Sequence, residues 1–219
     1  MNRRGLILSV AALGVAGLGG ATWYVNQPAP ASETETIAQE LTEALIRPYS
    51  PILGPEDAPV TIVEFFDPAC EACRAFHPIV KDIMAEHGDA VRVVIRYTPF
   101  HGEGSEVAIR ILEAARMQGV FEPALEAILR DQPQWASHGG MRPELLIGIA
   151  ASAGLDPEAA QAQLLAPQTT GVLNQDRADV ETVGVRQTPT FFLNGMPLDP
   201  FGEAELRRLV AAEVAAANS

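Results

Sequence analysis

Residues 60–73 read VTIVEFFDPACEAC, and they contain the most informative pattern in the chain. Its first half is rich in β-branched and aromatic residues, which predicts a strand over residues 60–66 that is buried on both faces. Residues 67–69 are predicted to form a turn, and a helix then begins at or beside Cys70 and runs to about residue 87. The sequence therefore places a CxxC pair where a buried strand ends and a helix begins.

Cys70 and Cys73 are the only two cysteines in the chain of 219 residues. A bridge between them closes a four-residue loop, which stabilises a fold by about 2 kcal/mol, against ~3 kcal/mol for fifteen residues. A pair that opens and closes is a better interpretation than a structural disulfide. Because unpaired amides and the dipole at a helix start favour a thiolate, Cys70 is predicted to be the exposed nucleophile and Cys73 the buried, resolving thiol.

The flanking segments complete the order of elements. Residues 91–97 are rich in Val and Ile and predict a second strand, parallel to the first because the connection is long enough for a crossover. The remaining predicted elements are a helix over 35–47, helices throughout 105–165, a helix over 170–183, a strand over 188–193, an edge strand over 196–198 and a helix over 201–217. The order is βαβ, a helical insertion, then αββα, which is an α/β fold.

Three motifs together resemble the DsbA-like branch of the thioredoxin superfamily. They are GPEDAPVTIVEFF at residues 54–66, the CxxC, and VRQTPTFFLNG at residues 185–195. The resemblance covers roughly residues 50–215 and implies a thioredoxin fold with an inserted helical domain. It also implies that the Thr188–Pro189 bond is cis, lies beside the CxxC, and leaves the backbone of Thr188 free to pair with a substrate strand.

The resemblance also concerns substrates and partners. The expected substrate-binding residues are Thr188, Pro189, Glu71 and Ala72, and no cofactor or metal is expected. The expected substrates are exported proteins that contain cysteines, and a membrane redox partner is expected to recycle the CxxC. The family's strong oxidase has Pro-His between its cysteines and Val before the cis-proline. This chain has Glu-Ala and Thr188 there, so the direction of electron flow stays open.

The expected domain organisation follows from these segments. The parts are a signal peptide or membrane anchor at 1–25, a tether and short helix at 26–50, and a DsbA-like thioredoxin domain at 51–219, with thioredoxin halves at 51–104 and 168–219 and a helical insertion at 105–167.

The N-terminus has the pattern of a targeting segment. Arg3 and Arg4 precede an uncharged, largely apolar run over residues 5–25, close to the ~20 residues that span a bilayer. An uncleaved anchor and a cleaved signal peptide both fit this run. The rest of the chain is therefore expected in an oxidising, extracytoplasmic compartment such as the periplasm, with or without a tether to the inner membrane. The net charge of −13 argues against nucleic-acid binding.

Glu64 lies six residues before Cys70, where thioredoxin-like proteins often carry a buried acid. A carboxyl group in an apolar strand has a raised pKa, which suits a proton relay for Cys73. The alternative is a strand residue whose carboxylate lies at the edge of the sheet. Glu64 is therefore a third candidate catalytic residue beside Cys70 and Cys73.

Three other residues allow more than one interpretation. His77 lies four residues after Cys73, so Cys70, Cys73 and His77 are a conceivable copper or zinc site, or His77 is an ordinary helix histidine. Trp135 and His138 either shape a partner surface or form a loop with one packed indole.

Three functions compete at this point. The first is a thiol–disulfide oxidoreductase that acts on exported proteins. The second is a dedicated thiol reductase for cytochrome or metal-site assembly, and the third is a metal-binding chaperone that uses Cys70, Cys73 and His77. The CxxC together with the Thr188–Pro189 pair favours the first two.

Overall fold

The computed structural model describes residues 33–137 and 140–219. The chain divides into two units, 1–38 and 39–219, and the second contains all the strands and every described helix after Leu45. The predicted targeting segment over 5–25 and His138 both lie outside the described residues. None of the described helices is both long and apolar enough to cross a membrane.

The described residues form α-helices and strands, with runs of successive helices in the middle of the chain. The helices are α1 (Glu33–Leu45), α2 (Glu71–His87), α3 (Glu103–Met117), α4 (Phe121–Arg130), α5 (Gln132–Trp135), α6 (Leu146–Ser152), α7 (Pro157–Leu164), α8 (Pro167–Val183) and α9 (Glu203–Ala217). The strands are β1 (Ile52–Leu53), β2 (Val60–Phe66), β3 (Val91–Tyr97), β4 (Ala136–Ser137), β5 (Gly140–Met141), β6 (Thr190–Leu193) and β7 (Met196–Pro197).

The main sheet has the strand order β1-β3-β2-β6-β7. Strand β2 pairs in parallel with β3 and antiparallel with β6, so it lies at the centre of the sheet. All seven of its residues are buried, as its composition predicts. The expected edge strand is also present, because β7 pairs only with β6 at one side of this sheet. This sheet and its helices confirm the predicted thioredoxin-like α/β fold.

Alternate residues of β2 face different layers of the core. Ile62 and Phe66 belong to the cluster that includes Val80 and Ile83 of α2. Val63 and Phe65 belong to a second cluster with Val180 of α8. Because Glu64 has the same parity as Ile62 and Phe66, its side chain lies on the α2 side of the sheet, the side that also buries Cys73.

Two short strand pairs were not predicted. Strand β1 pairs antiparallel with β3, in a segment for which no strand was predicted. The stretch expected to be wholly helical contains the hairpin β4–β5, in which Ala136 pairs with Met141. Strands β1, β4 and β5 have two residues each, too few for a period of two to be recognised in the sequence.

A buried ion network fixes α8 to β3. The Nη2 atom of Arg96 lies 2.7 Å from Oδ1 of Asp176 and 2.6 Å from Oδ2 of Asp179, and the Tyr97 amide donates to Asp176 at 2.8 Å. Removing one partner of such a buried pair leaves the other charge buried without a partner, which destabilises the fold by about 3–5 kcal/mol. The network thus holds the helix that leads into the segment before Pro189.

Candidate active site

The CxxC begins helix α2, as the sequence predicts. Cys70 is the residue before the first helical turn, with an extended backbone at φ −76° and ψ 122°. Its amide donates to the Asp67 carbonyl at 3.0 Å, and its own carbonyl accepts from the Arg74 amide at 3.1 Å. The turn after β2 therefore places the Cys70 sulfur beside the unpaired amides of the helix start.

The expectation that Cys70 is exposed is wrong for this structure, because only 7% of the residue is accessible. The segment before Pro189 covers it, and the Cys70 Sγ lies 3.2 Å from the Thr188 carbonyl oxygen. Its pKa is nevertheless lowered from 9.0 to about 5. The largest cause is a hydrogen bond from Cys73. Hydrogen bonds from the Thr188 side chain and from backbone amides of α2 add to it, while burial opposes it.

Cys73 lies one turn further into α2 and is fully buried. Its sulfur accepts a hydrogen bond from the Asp67 amide at 3.5 Å. Burial is the main reason that the pKa of Cys73 is raised far above its usual range, and the hydrogen bond to Cys70 and the negative charge of Glu64 act in the same direction. Both thiols are free in this structure.

Glu64 occupies the middle of the central strand, where it pairs with Ile95 of β3 and Phe191 of β6. The sheet-edge alternative is therefore wrong. The carboxyl is buried, and its Oε1 atom has no hydrogen-bond partner. Burial, and secondarily the charge of Cys70, raise the pKa of Glu64 from 4.5 to about 8. A carboxyl group of this kind holds a proton at neutral pH and can give it to a buried thiolate.

The other predicted site residues surround Cys70. The Thr188–Pro189 bond is cis, as expected from the resemblance. Glu71 and Ala72 are exposed and line the same groove as Cys70. The predicted substrate-binding residues are thus brought together at one end of α2.

The structure does not place His77 in the groove that holds Cys70. His77 lines a different groove, with Arg74, Lys81 and Glu126, and burial and the charge of Lys81 lower its pKa. Within residues 33–137 and 140–219, no three Cys, His, Asp or Glu side chains cluster so that they could hold a metal ion. Nothing in this geometry favours the metal-chaperone alternative.

The helical insertion contributes a residue that sequence reasoning missed. Gln132 is buried, and its Nε2 atom donates to the carbonyls of Pro68 at 2.7 Å and Cys70 at 3.0 Å. Its Oε1 accepts from Arg74 at 2.9 Å. Trp135 nearby is a packed indole that donates to the Ile128 carbonyl at 2.9 Å. No pattern in the sequence marks a glutamine 62 positions away as a partner of the CxxC turn.

Asp67 and His101 are a second missed pair. Asp67 is fully buried, and its Oδ2 atom lies 2.7 Å from Nδ1 of His101, which lines the groove beside Cys70. The only local signal is an acidic residue in the turn after β2, which also fits an ordinary turn residue.

Comparison with known proteins assigns the family. A family model described as thioredoxin matches residues 47–212. This chain belongs to the thioredoxin family. The resemblance to DsbA-like proteins and the inserted helical domain agree with this assignment. A thioredoxin-like oxidoreductase from Silicibacter pomeroyi has a similar structure, with 31% identity, 80% of this chain and 96% of that chain covered, and a TM-score of 0.67.

Two curated relatives extend the comparison. Disulfide bond formation protein D of Bacillus subtilis is 27% identical over 172 residues, which cover 75% of this chain and 77% of that protein. The Na(+)/H(+) antiporter NhaA of Herminiimonas arsenicoxydans is 38% identical over 147 residues, which cover 67% of this chain but 22% of the antiporter. The chain spans 21–28% of the length of these antiporters.

Proposed function

We propose that this protein is a thiol–disulfide oxidoreductase in which Cys70 is the nucleophile and Cys73 the resolving thiol. The contrast between the two pKa values supports the assignment, because that of Cys70 is lowered to about 5 while that of Cys73 is strongly raised. The thiolate is the attacking species in disulfide exchange, and the lower pKa also makes Cys70 the better leaving group.

The exchange consists of two sulfur transfers. In the oxidising direction, a substrate thiolate bonds to the Cys70 Sγ, the Cys70–Cys73 bond breaks, and its electron pair goes to Cys73. Protonated Glu64 then gives its proton to the Cys73 thiolate, which suits its pKa of about 8. A second substrate thiolate attacks the mixed disulfide at the substrate sulfur, and Cys70 leaves as a thiolate. The reverse sequence reduces a substrate disulfide.

Substrates and partners follow from the same assignment. Cysteine-containing exported proteins are the proposed substrates, held by the backbone of Thr188 and by Pro189, Glu71 and Ala72. A membrane redox partner would recycle the CxxC. The apolar run over residues 5–25 supports a location outside the cytoplasm, with that run as a signal or as a tether to the inner membrane.

Capture of a substrate disulfide tests the function. Cys73→Ser should accumulate a mixed disulfide with a cysteine-containing peptide disulfide, because nothing resolves it. Cys70→Ser should form none, and it serves as the matched control because it keeps one cysteine in the same helix. Adducts on Cys73 in the Cys70→Ser variant, or no exchange by the wild type, would overturn the assignment.

The location needs a separate measurement. A reporter that is active only after export, fused after residue 219, should be active, while a reporter active only in the cytoplasm should be silent. The opposite result would contradict the proposed compartment without affecting the chemistry.

A further inference from the structure

A fully buried carboxylate lies three residues before Cys70, and the exchange steps above do not use it. The Oδ1 atom of Asp67 accepts from the Ala69 amide at 2.9 Å. Its Oδ2 accepts from the amides of Phe100 at 2.8 Å and His101 at 3.1 Å. Asp67 therefore ties the loop after β3 to the turn that carries Cys70.

The same Oδ2 atom fixes the imidazole ring of His101. It lies 2.7 Å from Nδ1 of that ring. Because a carboxylate can only accept, Nδ1 is the nitrogen that donates, and in the neutral ring the lone pair is then on Nε2. The side chain of His101 is 43% exposed, so the outer part of the ring meets solvent.

His101 and Cys70 line one groove of about 410 Å³, together with Ala72 and the hairpin residue Met141. A thiol that attacks the Cys70 sulfur from this groove therefore approaches beside the imidazole. An ordinary cysteine thiol has a pKa of about 8.5, so only ~3% of it is ionised at neutral pH. A base at this position removes that limitation.

We propose that His101 is the general base for the incoming substrate thiol and that Asp67 is the residue that positions it. This inference rests on the proposed thiol–disulfide exchange. The substrate S–H proton passes to Nε2 of His101 as the substrate sulfur bonds to the Cys70 Sγ, and the electron pair of the Cys70–Cys73 bond goes to Cys73. In the reverse direction, protonated His101 returns the proton to the departing substrate thiolate.

The test compares two thiols in the oxidised full-length protein. One is a cysteine peptide, mostly protonated at neutral pH, and the other is an aromatic thiol already ionised there. His101→Asn keeps an amide that can donate to Asp67 but removes the base. We expect the rate with the peptide to fall about tenfold, with a ceiling of ~30-fold set by the fraction already ionised. The rate with the aromatic thiol should change less than twofold.

Two further measurements separate a base from a structural residue. The reduction potential of the CxxC should stay unchanged in His101→Asn, because a base changes rates in both directions equally. His87→Gln, at the far end of α2, is the control and should change neither rate. If His101→Asn unfolds, His101→Gln provides the same comparison.

If His101→Asn lowers the reaction rate equally with both thiols, or does not lower it with the peptide, the role of His101 is overturned while the proposed exchange stays intact. If the wild type reacts with neither thiol, the proposed function itself fails.

Discussion

The groove at the start of α2 and the core one turn further into the helix shift the pKa of a cysteine thiol in opposite directions. In the groove, hydrogen bonds from Cys73, Thr188 and backbone amides stabilise the Cys70 thiolate. In the core, burial and the hydrogen bond to Cys70 favour the protonated thiol of Cys73. The two cysteines are one helical turn apart, yet the pKa of Cys70 is lowered and that of Cys73 is raised. The difference comes from their local surroundings, because the residue type is the same.

Replacing Glu64, the buried acid in the core, should produce the largest change in the free energy of unfolding. Glu64 keeps its proton up to about pH 8 in the folded protein but loses it near 4.5 when exposed. The folded state thus binds more protons in that window, so stability falls as pH rises from about 4.5 to 8. At about 1.4 kcal/mol for each unit of difference, the loss is on the order of 3–5 kcal/mol. Glu64→Gln should recover most of this lost free energy of unfolding at pH 8, as measured by denaturant unfolding.

A paired buried glutamate is the matched control. Glu113 is also buried but bonds to Tyr97 at 2.9 Å and Arg116 at 2.7 Å. Glu113→Gln should destabilise the protein, whereas Glu64→Gln should stabilise it at high pH. Glu64→Gln should also slow the step in which the Cys70–Cys73 disulfide opens, because the Cys73 thiolate then lacks its proton donor. Destabilisation by both variants at pH 8 would mean that the Glu64 carboxyl is solvated or paired, and the core side of the comparison would fail.

Removing the hydrogen bonds of Gln132 to the turn that carries Cys70 should have an intermediate effect on stability. Gln132→Ala leaves the buried carbonyls of Pro68 and Cys70 without this donor, which costs about 1–3 kcal/mol. Because the turn that holds Cys70 then becomes less fixed, the pKa of Cys70 should rise toward its usual range. Gln134→Ala removes an exposed glutamine from the same short helix and should change neither quantity. Equal effects of the two variants would argue against a role for the insertion in shaping the groove.

The smallest effect should come from the charge next to Cys70. A Glu71 carboxylate ~6 Å from the Cys70 sulfur would raise its pKa by on the order of half a unit at the dielectric of water. Glu71→His should therefore lower the pKa of Cys70 and make the couple more oxidising, by some tens of millivolts at most. A more reducing couple in this variant would show that the potential is set elsewhere.

The parts of this site that sequence predicts are those encoded by contiguous patterns. The composition of residues 60–66 predicts the central strand, and the CxxC after it predicts the helix start. Cys70, by contrast, was expected to be exposed, and its cover comes from Thr188, 118 positions away. Gln132 and His101 contact the CxxC turn from distant segments, and no local periodicity marks such contacts. The two-residue strands β1, β4 and β5 are too short to carry a pattern.

Titration of the reduced protein tests the central contrast most directly. Ultraviolet absorbance of the thiolate, measured against pH with the Cys70→Ser/Cys73→Ser double variant as the blank, should show one transition near pH 5 from Cys70. Cys73 should remain silent until the protein unfolds, because burial keeps its thiol protonated. A transition near 8.5 for Cys70, or a second transition from Cys73 in the folded protein, would contradict the account.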